Sequence, residues 1–289
     1  MANAIELAKS YVPKLDEVYK LASLTAMLDG ASDLARQGAN ANELIIPMMT
    51  MDGLADYSRN SGYVQGDVTL TNETVKCNFD RGRRFTVDTM DDLETAGLAF
   101  GRLSAEFIRT KVVPELDAFR FAAYCGKTGV TKVEGALADG SAVLQALRAA
   151  STALDEAEVP LTERYLFITP SLHGMVQDLD TTKSREVLNN FAKITDVPQT
   201  RFYTAIKQLS GKTGEEAGGY TKAAGAANIN FAIVQKDALI QYTKHAAPKI
   251  IAPENNPDAD AYVFGYRMVG IAKAYKNMLS GMYFSHDKA

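Results

Sequence analysis

Residues 80–123, DRGRRFTVDTMDDLETAGLAFGRLSAEFIRTKVVPELDAFRFAA, join an arginine-rich extended segment to a long helix. Apolar residues such as Leu93 and Phe100 recur at the spacing of one helical face, with charged residues on the other faces. The pattern predicts an amphipathic helix over about residues 91–113, roughly 33 Å long at about 1.5 Å per residue. Pro114 lacks a backbone N–H, so it should kink this helix or start a second one.

Carboxylates cluster where this helix is predicted to begin. Their oxygens can accept hydrogen bonds from unpaired first-turn N–H groups, and their charge suits the positive end of the helix dipole. The same residue types could form a metal site or an acid/base pair, but no histidine lies nearby in sequence to complete a mixed metal site. Capping is therefore the favoured interpretation. The residues concerned are Asp88, Asp91, Asp92 and Glu94.

Composition indicates one elaborate globular domain or two modest ones. Of 289 residues, 46% are hydrophobic and 23% are charged, which allows a sizeable core. The formal net charge of -4 does not suggest a cationic surface that wraps nucleic acid. Cys77 and Cys125 are too few for a disulfide framework and too far apart for a CxxC motif. The chain shows neither a signal-peptide pattern nor an apolar run approaching about 20 residues, so we expect no export and no membrane span.

The part of the chain before this stretch is predicted to be an arm followed by a ribbon. Apolar residues keep approximate helical spacing over residues 3–28, interrupted by Pro13, and such an arm has little of its own to pack against. Residues 43–49 predict a strand, and residues 52–67 have the composition of an exposed loop tip. We predict a two-stranded excursion over about residues 43–87. Because an isolated ribbon is marginal in water, we expect another chain to cover it.

Beyond Gly140 the sequence predicts a compact α/β unit. Ser141 is the predicted N-cap of a first helix, residues 164–169 (RYLFIT) form a buried strand, and Pro170 starts the next helix. The glycine-rich residues 211–227 predict a surface loop. Further strands are predicted at residues 229–234, 249–252, 262–275 and 279–284.

No motif points to catalysis, a cofactor or a metal. Gly-Lys-Thr occurs at residues 126–128 and 211–213, but the glycine that a P-loop requires five residues earlier is replaced by Phe121 and Ile206. The histidines are scattered and lack the spacing of a zinc site. We therefore predict no catalytic, cofactor-binding or metal-ligating residues, and no enzyme. The histidines are His173, His245 and His286.

Arg81, Arg83 and Arg84 form a compact cationic cluster. Such a cluster could be solvated, could bind phosphate, or could pair with carboxylates of a neighbouring subunit and fix its register. Asp80 and Asp88 flank the cluster, which favours the inter-subunit hypothesis over nucleic-acid binding. These five residues are the predicted inter-subunit contacts.

Four stretches together carry a resemblance to a known family. The order of a projecting ribbon, an arginine-rich strand, a long helix and a compact α/β unit resembles the major capsid proteins of tailed bacteriophages, which have the Hong Kong 97-type shell fold. The likeness covers nearly the whole chain, and the second stretch is the most specific. The stretches are DGLADYSRNSGYVQGDVTL, DRGRRFTVDTMDDLETAG continuing to VVPELDAFRFAAY, RYLFITPSLHGMV, and KIIAPENNPDADAYVFGYRMVGIAKAY.

The resemblance implies an α+β chain with five parts. In this fold an extended β-hairpin loop, the E-loop, projects from a peripheral domain built on a long spine helix, and an axial α/β domain lies beside it. The implied parts are an N-terminal arm at 1–38, the E-loop at 39–87, the peripheral domain with the spine helix at 88–139, the axial domain at 140–244, and return strands of the peripheral domain that end in the axial domain at 245–289.

The implied function is self-assembly. Copies would form the hexamers and pentamers of an icosahedral shell, assembled in the host bacterial cytoplasm, that encloses non-specifically packaged double-stranded DNA in the virion. A scaffolding protein and a portal would be further partners, with no cofactor and no membrane. Lys76 and Asn255 or Asn256 do not match the family's cross-linking motif, so cross-links are not expected. An encapsulin-like nanocompartment shell is the alternative, followed by a cytosolic α/β enzyme.

Overall fold

The computed structural model describes residues 23–30, 36–37, 43–89 and 105–288. Its strands and helices fall into a hairpin extended by a two-residue strand, a three-stranded sheet that contains the arginine-rich segment, a five-stranded sheet with helices against it, and a separate two-stranded pair. The strands are β1 Arg36–Gln37, β2 Glu43–Met51, β3 Val68–Lys76, β4 Phe79–Asp88, β5 Thr131–Glu134, β6 Arg164–Ile168, β7 Lys193–Asp196, β8 Ile206–Gln208, β9 Tyr220–Lys222, β10 Ile229–Gln235, β11 Leu239–Ile251, β12 Ala261–Ala274 and β13 Met282–His286. The α-helices are α1 Val113–Cys125, α2 Gly140–Glu156, α3 Pro170–Asp178 and α4 Thr182–Asn189.

The five-stranded sheet is the centre of the compact unit, with strand order β5-β13-β10-β6-β7. All seven residues of β10 are buried because strands flank it on both sides and helices cover the sheet. Helix α2 contributes Val143, Leu147 and Leu154 to a core shared with Leu166 and Phe231 of the sheet. The strands predicted at residues 164–169 and 229–234 and the helix starting at Pro170 are therefore confirmed.

The predicted N-cap of α2 is wrong by two residues. The helix begins at Gly140, and the carboxylate of Asp139 accepts a hydrogen bond from the Ala142 backbone N–H at 2.7 Å. Asp139 has extended backbone angles, as an N-cap requires, whereas Ser141 already lies inside the first turn.

The three-stranded sheet has the order β11-β12-β4, with antiparallel pairing throughout. The central strand β12 places Gly265 opposite Arg84, so the arginine-rich segment is the edge of this sheet. Strand β11 begins ten residues before the strand predicted at residues 249–252, and β13 begins three residues after the predicted start at residue 279. A 3₁₀ segment, Lys276–Gly281, occupies the difference before β13.

Helix α1 packs against both sheets. Its first half contributes Val113 and Leu116 to a core with Phe264 of the three-stranded sheet. Its second half contributes Phe121 and Tyr124 to a core with residues of the five-stranded sheet. The two sheets therefore share one helix as their common support.

A π-helical turn, Ile108–Val112, leads directly into α1. Phe107, Val112 and Val113 all keep helical backbone angles, so the chain does not break at Pro114. The widened turn accommodates a proline that lacks an N–H donor. Pro114 thus lies in the first turn of a helix that is continuous with the preceding turn. Most of the helix predicted over residues 91–113, including Asp91, lies outside the described residues.

The ribbon is a hairpin of β2 and β3, with residues 52–67 at its tip and the short strand β1 paired to β2 at the other end. Strand β2 covers the strand predicted at residues 43–49. The ribbon is shorter than predicted, because it ends at Lys76 and the chain then enters β4, which pairs with β12. The arginine-rich strand belongs to a folded sheet and not to the projection.

Candidate inter-subunit surfaces

Strand β4 divides its charged residues between two faces. Side chains alternate along a strand, so Phe79, Arg81, Arg83 and Phe85 share the face toward α1 and the π-helical turn, which we call the inward face. The outward face carries the remaining predicted contact residues. They are Asp80, Arg84 and Asp88.

Arg81 is engaged within its own chain. Its Nε donates to the Glu115 carboxylate of α1 at 2.8 Å, and its Nη2 donates to the carbonyls of Leu209 and Gly219 at 2.8 and 3.1 Å. Burial raises the pKa of Glu115, and the nearby Arg81 charge opposes this shift. Arg81 therefore joins the sheet, the helix and residues 209–219, which we call the glycine-rich loop.

Arg83 contacts the same loop from the neighbouring inward position. Its Nη2 donates to the Glu216 carbonyl at 2.8 Å. Gly211 and Gly218 have left-handed backbone angles, and a Cβ built on Gly218 would lie 2.8 Å from Arg83 Nη1. The loop has room for the guanidinium only because these positions are glycine.

The outward residues are more exposed. Arg84 Nη2 lies 4.0 Å from the Asp258 carboxylate, and both side chains are mostly exposed. Asp80 accepts two hydrogen bonds from Arg267, at 2.9 and 2.6 Å, which holds the pKa of Asp80 below its usual value. Asp88 is the last residue of β4 and lies opposite Ala261. The outward face thus offers charged groups in an arrangement that a neighbouring chain could contact.

A cleft of about 1200 Å³ lies between β4, the π-helical turn and the glycine-rich loop. Aromatic and cationic residues both line it, among them Phe107, Lys111, Tyr203 and Lys222. Arg81 and Arg83 line it too and bond to the loop from β4. Two side chains therefore bridge a space that no packed core fills.

The hairpin presents an apolar face to solvent. Met49 lies opposite Leu70 and Met51 opposite Val68, so the four side chains share one face of the ribbon. Each is between 55% and 67% exposed. Further exposed apolar residues at the tip extend this surface. They are Leu54, Tyr57, Tyr63 and Val64, with the two tyrosine rings 4.8 Å apart.

A buried polar network holds residues 23–30, which the sequence had predicted to lack a packing surface. The fully buried Asp117 accepts hydrogen bonds from the backbone N–H groups of Leu24 and Thr25 and from the Arg201 guanidinium. Arg120, also on α1, donates to the Thr25 hydroxyl at 2.8 Å. Sequence reasoning missed this network, although charged residues three apart on an apolar helix face were an available signal.

Two of the histidines, His173 and His286, have local hydrogen-bond partners. His173 Nδ1 lies 2.7 Å from the Asp196 carboxylate, and burial raises the pKa of Cys125 to about 11. Among the described residues, no group of three or more His, Cys, Asp or Glu side chains could hold a metal ion. Within the same ranges, no helix has the length and apolar character needed to cross a membrane.

Neither a family model nor a curated protein matches the chain. Its fold, however, is that of known shells. The structure resembles that of Mycobacterium phage Che8 at 13% identity and a TM-score of 0.58, covering 91% of this chain and 90% of that one. The capsid of cyanophage P-SCSP1u gives 11% identity, a TM-score of 0.56 and coverages of 87% and 85%. A virus-like particle from Pyrococcus furiosus gives 10% identity and a TM-score of 0.59, covering 95% of this chain and 99% of that one.

These likenesses extend over most of the chain. The α+β architecture and the Hong Kong 97-like shell fold predicted from the sequence are confirmed.

Proposed function

We propose that the chain is the major capsid protein of a tailed bacteriophage or prophage. Its copies self-assemble into an icosahedral shell that encloses double-stranded DNA, which makes the chain a structural component of the virion and not an enzyme. The shared fold with phage capsid structures supports this proposal. The observation that carries it is the exposed apolar face of the hairpin.

The hairpin face requires a partner to be buried. Four apolar side chains, two on β2 and two on β3, lie on one face of the hairpin and are more than half exposed in the single chain. A two-stranded ribbon with such a face gains stability only when another surface covers it. A closed shell covers it in every copy, because symmetry presents the same receiving surface to each hairpin.

The five-part division predicted from the sequence remains part of this proposal. The hairpin corresponds to the E-loop, the three-stranded sheet with α1 to the peripheral domain, and the five-stranded sheet to the axial domain. Strand β13 supports the assignment of the C-terminus, since it returns to the five-stranded sheet between β5 and β10. We further propose hexamers and pentamers, a scaffolding protein, a portal, and assembly in the host bacterial cytoplasm.

The outward face of β4 is the proposed site of charged contacts between subunits. Arg84 and Asp88 lie on it, and Asp80 lies there with Arg267. Arg81 and Arg83 face inward and have partners in their own chain. We therefore propose that these two arginines influence contacts between subunits only indirectly, by holding the subunit in its shape.

Expression of the chain, with and without a scaffolding protein from the same genome, tests the proposal. We expect particles or capsomers of uniform size by light scattering and negative-stain microscopy. A monomer or dimer that forms neither under any condition would refute it.

A nanocompartment shell is a second candidate. The match to the Pyrococcus furiosus virus-like particle covers 99% of that protein's chain. Nearly the whole chain of a particle from another source therefore has the same fold. Particles isolated from the native source distinguish the two candidates. Nuclease-protected DNA inside the particles supports the capsid, whereas protein cargo without DNA supports the nanocompartment.

A further inference from the structure

We infer that Arg81 and Arg83 form a latch that fixes the glycine-rich loop against the three-stranded sheet within one subunit. Together the two side chains donate hydrogen bonds to three carbonyls of the loop, at Leu209, Gly219 and Glu216. Bonds from a charged donor are stronger than those between neutral groups, and the planar guanidinium can serve two acceptors at once. The loop is otherwise separated from the sheet by the cleft.

The latch lies beside α1, the helix that the two sheets share. The first half of α1 packs on the three-stranded sheet and the second half on the five-stranded sheet. Arg81 and Arg83 cross the cleft and hold the loop that connects the paired strands β8 and β9 against β4. Arg81 also ties the latch to α1 itself through Glu115. The two arginines are positioning residues for the shape of the subunit.

The loop is built to receive the arginines. Its own hydrogen bonds shape it: Glu215 accepts from the Ser210 backbone N–H, and Glu216 accepts from that of Gly214. The Gly218 N–H donates to the Glu215 carbonyl at 2.9 Å. These bonds shape the loop so that its carbonyls face the guanidinium groups of β4.

Hydrogen exchange of the unassembled subunit tests the latch. Arg83→Ala removes the bond to Glu216, and we expect the amides of Leu209 and Gly218 to exchange about tenfold faster. Arg84→Ala is the matched control, because it removes the adjacent arginine from the outward face. Its loop amides should exchange within about twofold of the unsubstituted chain.

A glycine pair tests the same contact from the other side. Gly218→Ala places a Cβ 2.8 Å from Arg83 Nη1 at a position with φ +63°. Gly214→Ala has comparable backbone strain, at φ +86°, with no neighbour within 4 Å of its Cβ. We expect loop exchange in Gly218→Ala to exceed that in Gly214→Ala by about tenfold.

Equal exchange in Arg83→Ala and Arg84→Ala, or in the two glycine variants, would overturn the latch. Circular dichroism on each variant confirms that the subunit is folded before exchange is compared. The effect on shell geometry rests on the proposed function, but the exchange measurement does not. A chain that forms no particles would refute the capsid proposal and leave the latch to be judged on its own data.

Discussion

Removing apolar side chains from the hairpin face should weaken assembly without weakening the subunit. Leu70 is 66% exposed and Met51 67% exposed in the single chain. Fully burying such a side chain contributes about 1.5–3 kcal/mol, so covering the exposed two-thirds contributes about 1–2 kcal/mol. Alanine keeps the Cβ, which leaves a loss of about 1 kcal/mol for each substitution.

A loss of about 1 kcal/mol per subunit raises the critical concentration for assembly about fivefold, and two such losses raise it about 25-fold if they add. We therefore expect about a fivefold increase for Leu70→Ala and about 25-fold for Leu70→Ala with Met51→Ala. The assay is light scattering and sedimentation of purified subunits over a range of concentrations. The unfolding temperature of the unassembled subunit should not change, because neither side chain is buried there.

Thr69→Ala is the matched control, since Thr69 lies on the opposite face of the same strand. Its critical concentration should stay within about twofold of that of the unsubstituted chain. If the double variant assembles at the unsubstituted chain's concentration, the apolar face is not an interface and the reasoning is wrong.

Three further substitutions test other parts of the molecule. Asp117→Asn should lower the free energy of unfolding by about 1–3 kcal/mol, because it weakens the hydrogen bonds that the buried carboxylate accepts from residues 24–25 and removes the charge that pairs with Arg201. The exposed Asp258→Asn should cost under about 0.5 kcal/mol in the same thermal melts. Burial raises the pKa of Glu115 in the folded state, so its contribution to stability is present at low pH and is lost as the pH rises through that raised pKa. The free energy of unfolding of Glu115→Gln should therefore increase relative to that of the unsubstituted chain as the pH rises above about 4, the usual pKa range of a Glu carboxyl. Parallel stability curves for the two chains would contradict this. Arg84→Glu should block particle formation with an unchanged unfolding temperature, since like charges at an interface cost several kcal/mol, and normal particles would show that Arg84 is solvated surface.

Local pattern in the sequence was enough to predict many of the elements. The apolar spacing of α2, the Pro-initiated α3 and the apolar run of β10 lie close to where the residues predict them. The errors are local too. Asp139, not Ser141, caps α2. Strand β11 begins ten residues before the predicted start, because the ends of a strand depend on its partner strand as much as on its own residues.

The site could be predicted only in part. The sequence identified the arginine cluster, and strand alternation by itself separates Arg81 and Arg83 from Arg84. It could not identify what the inward arginines bond to, because the loop carbonyl that Arg81 contacts at Leu209 is 128 residues away. The same holds for Asp117, whose partners near Thr25 are about 92 residues distant along the chain.

The sequence by itself therefore determined the element types, the acidic and arginine-rich composition of residues 80–123, and the resemblance to a shell fold. Only the tertiary structure decided that β4 joins β12 and not the ribbon, and that Arg81 and Arg83 bond to the glycine-rich loop. The physical reason is the range of the interactions. Helical spacing and strand alternation are set by neighbouring residues, whereas pairing of strands and burial of charges depend on groups that meet only when the chain has folded.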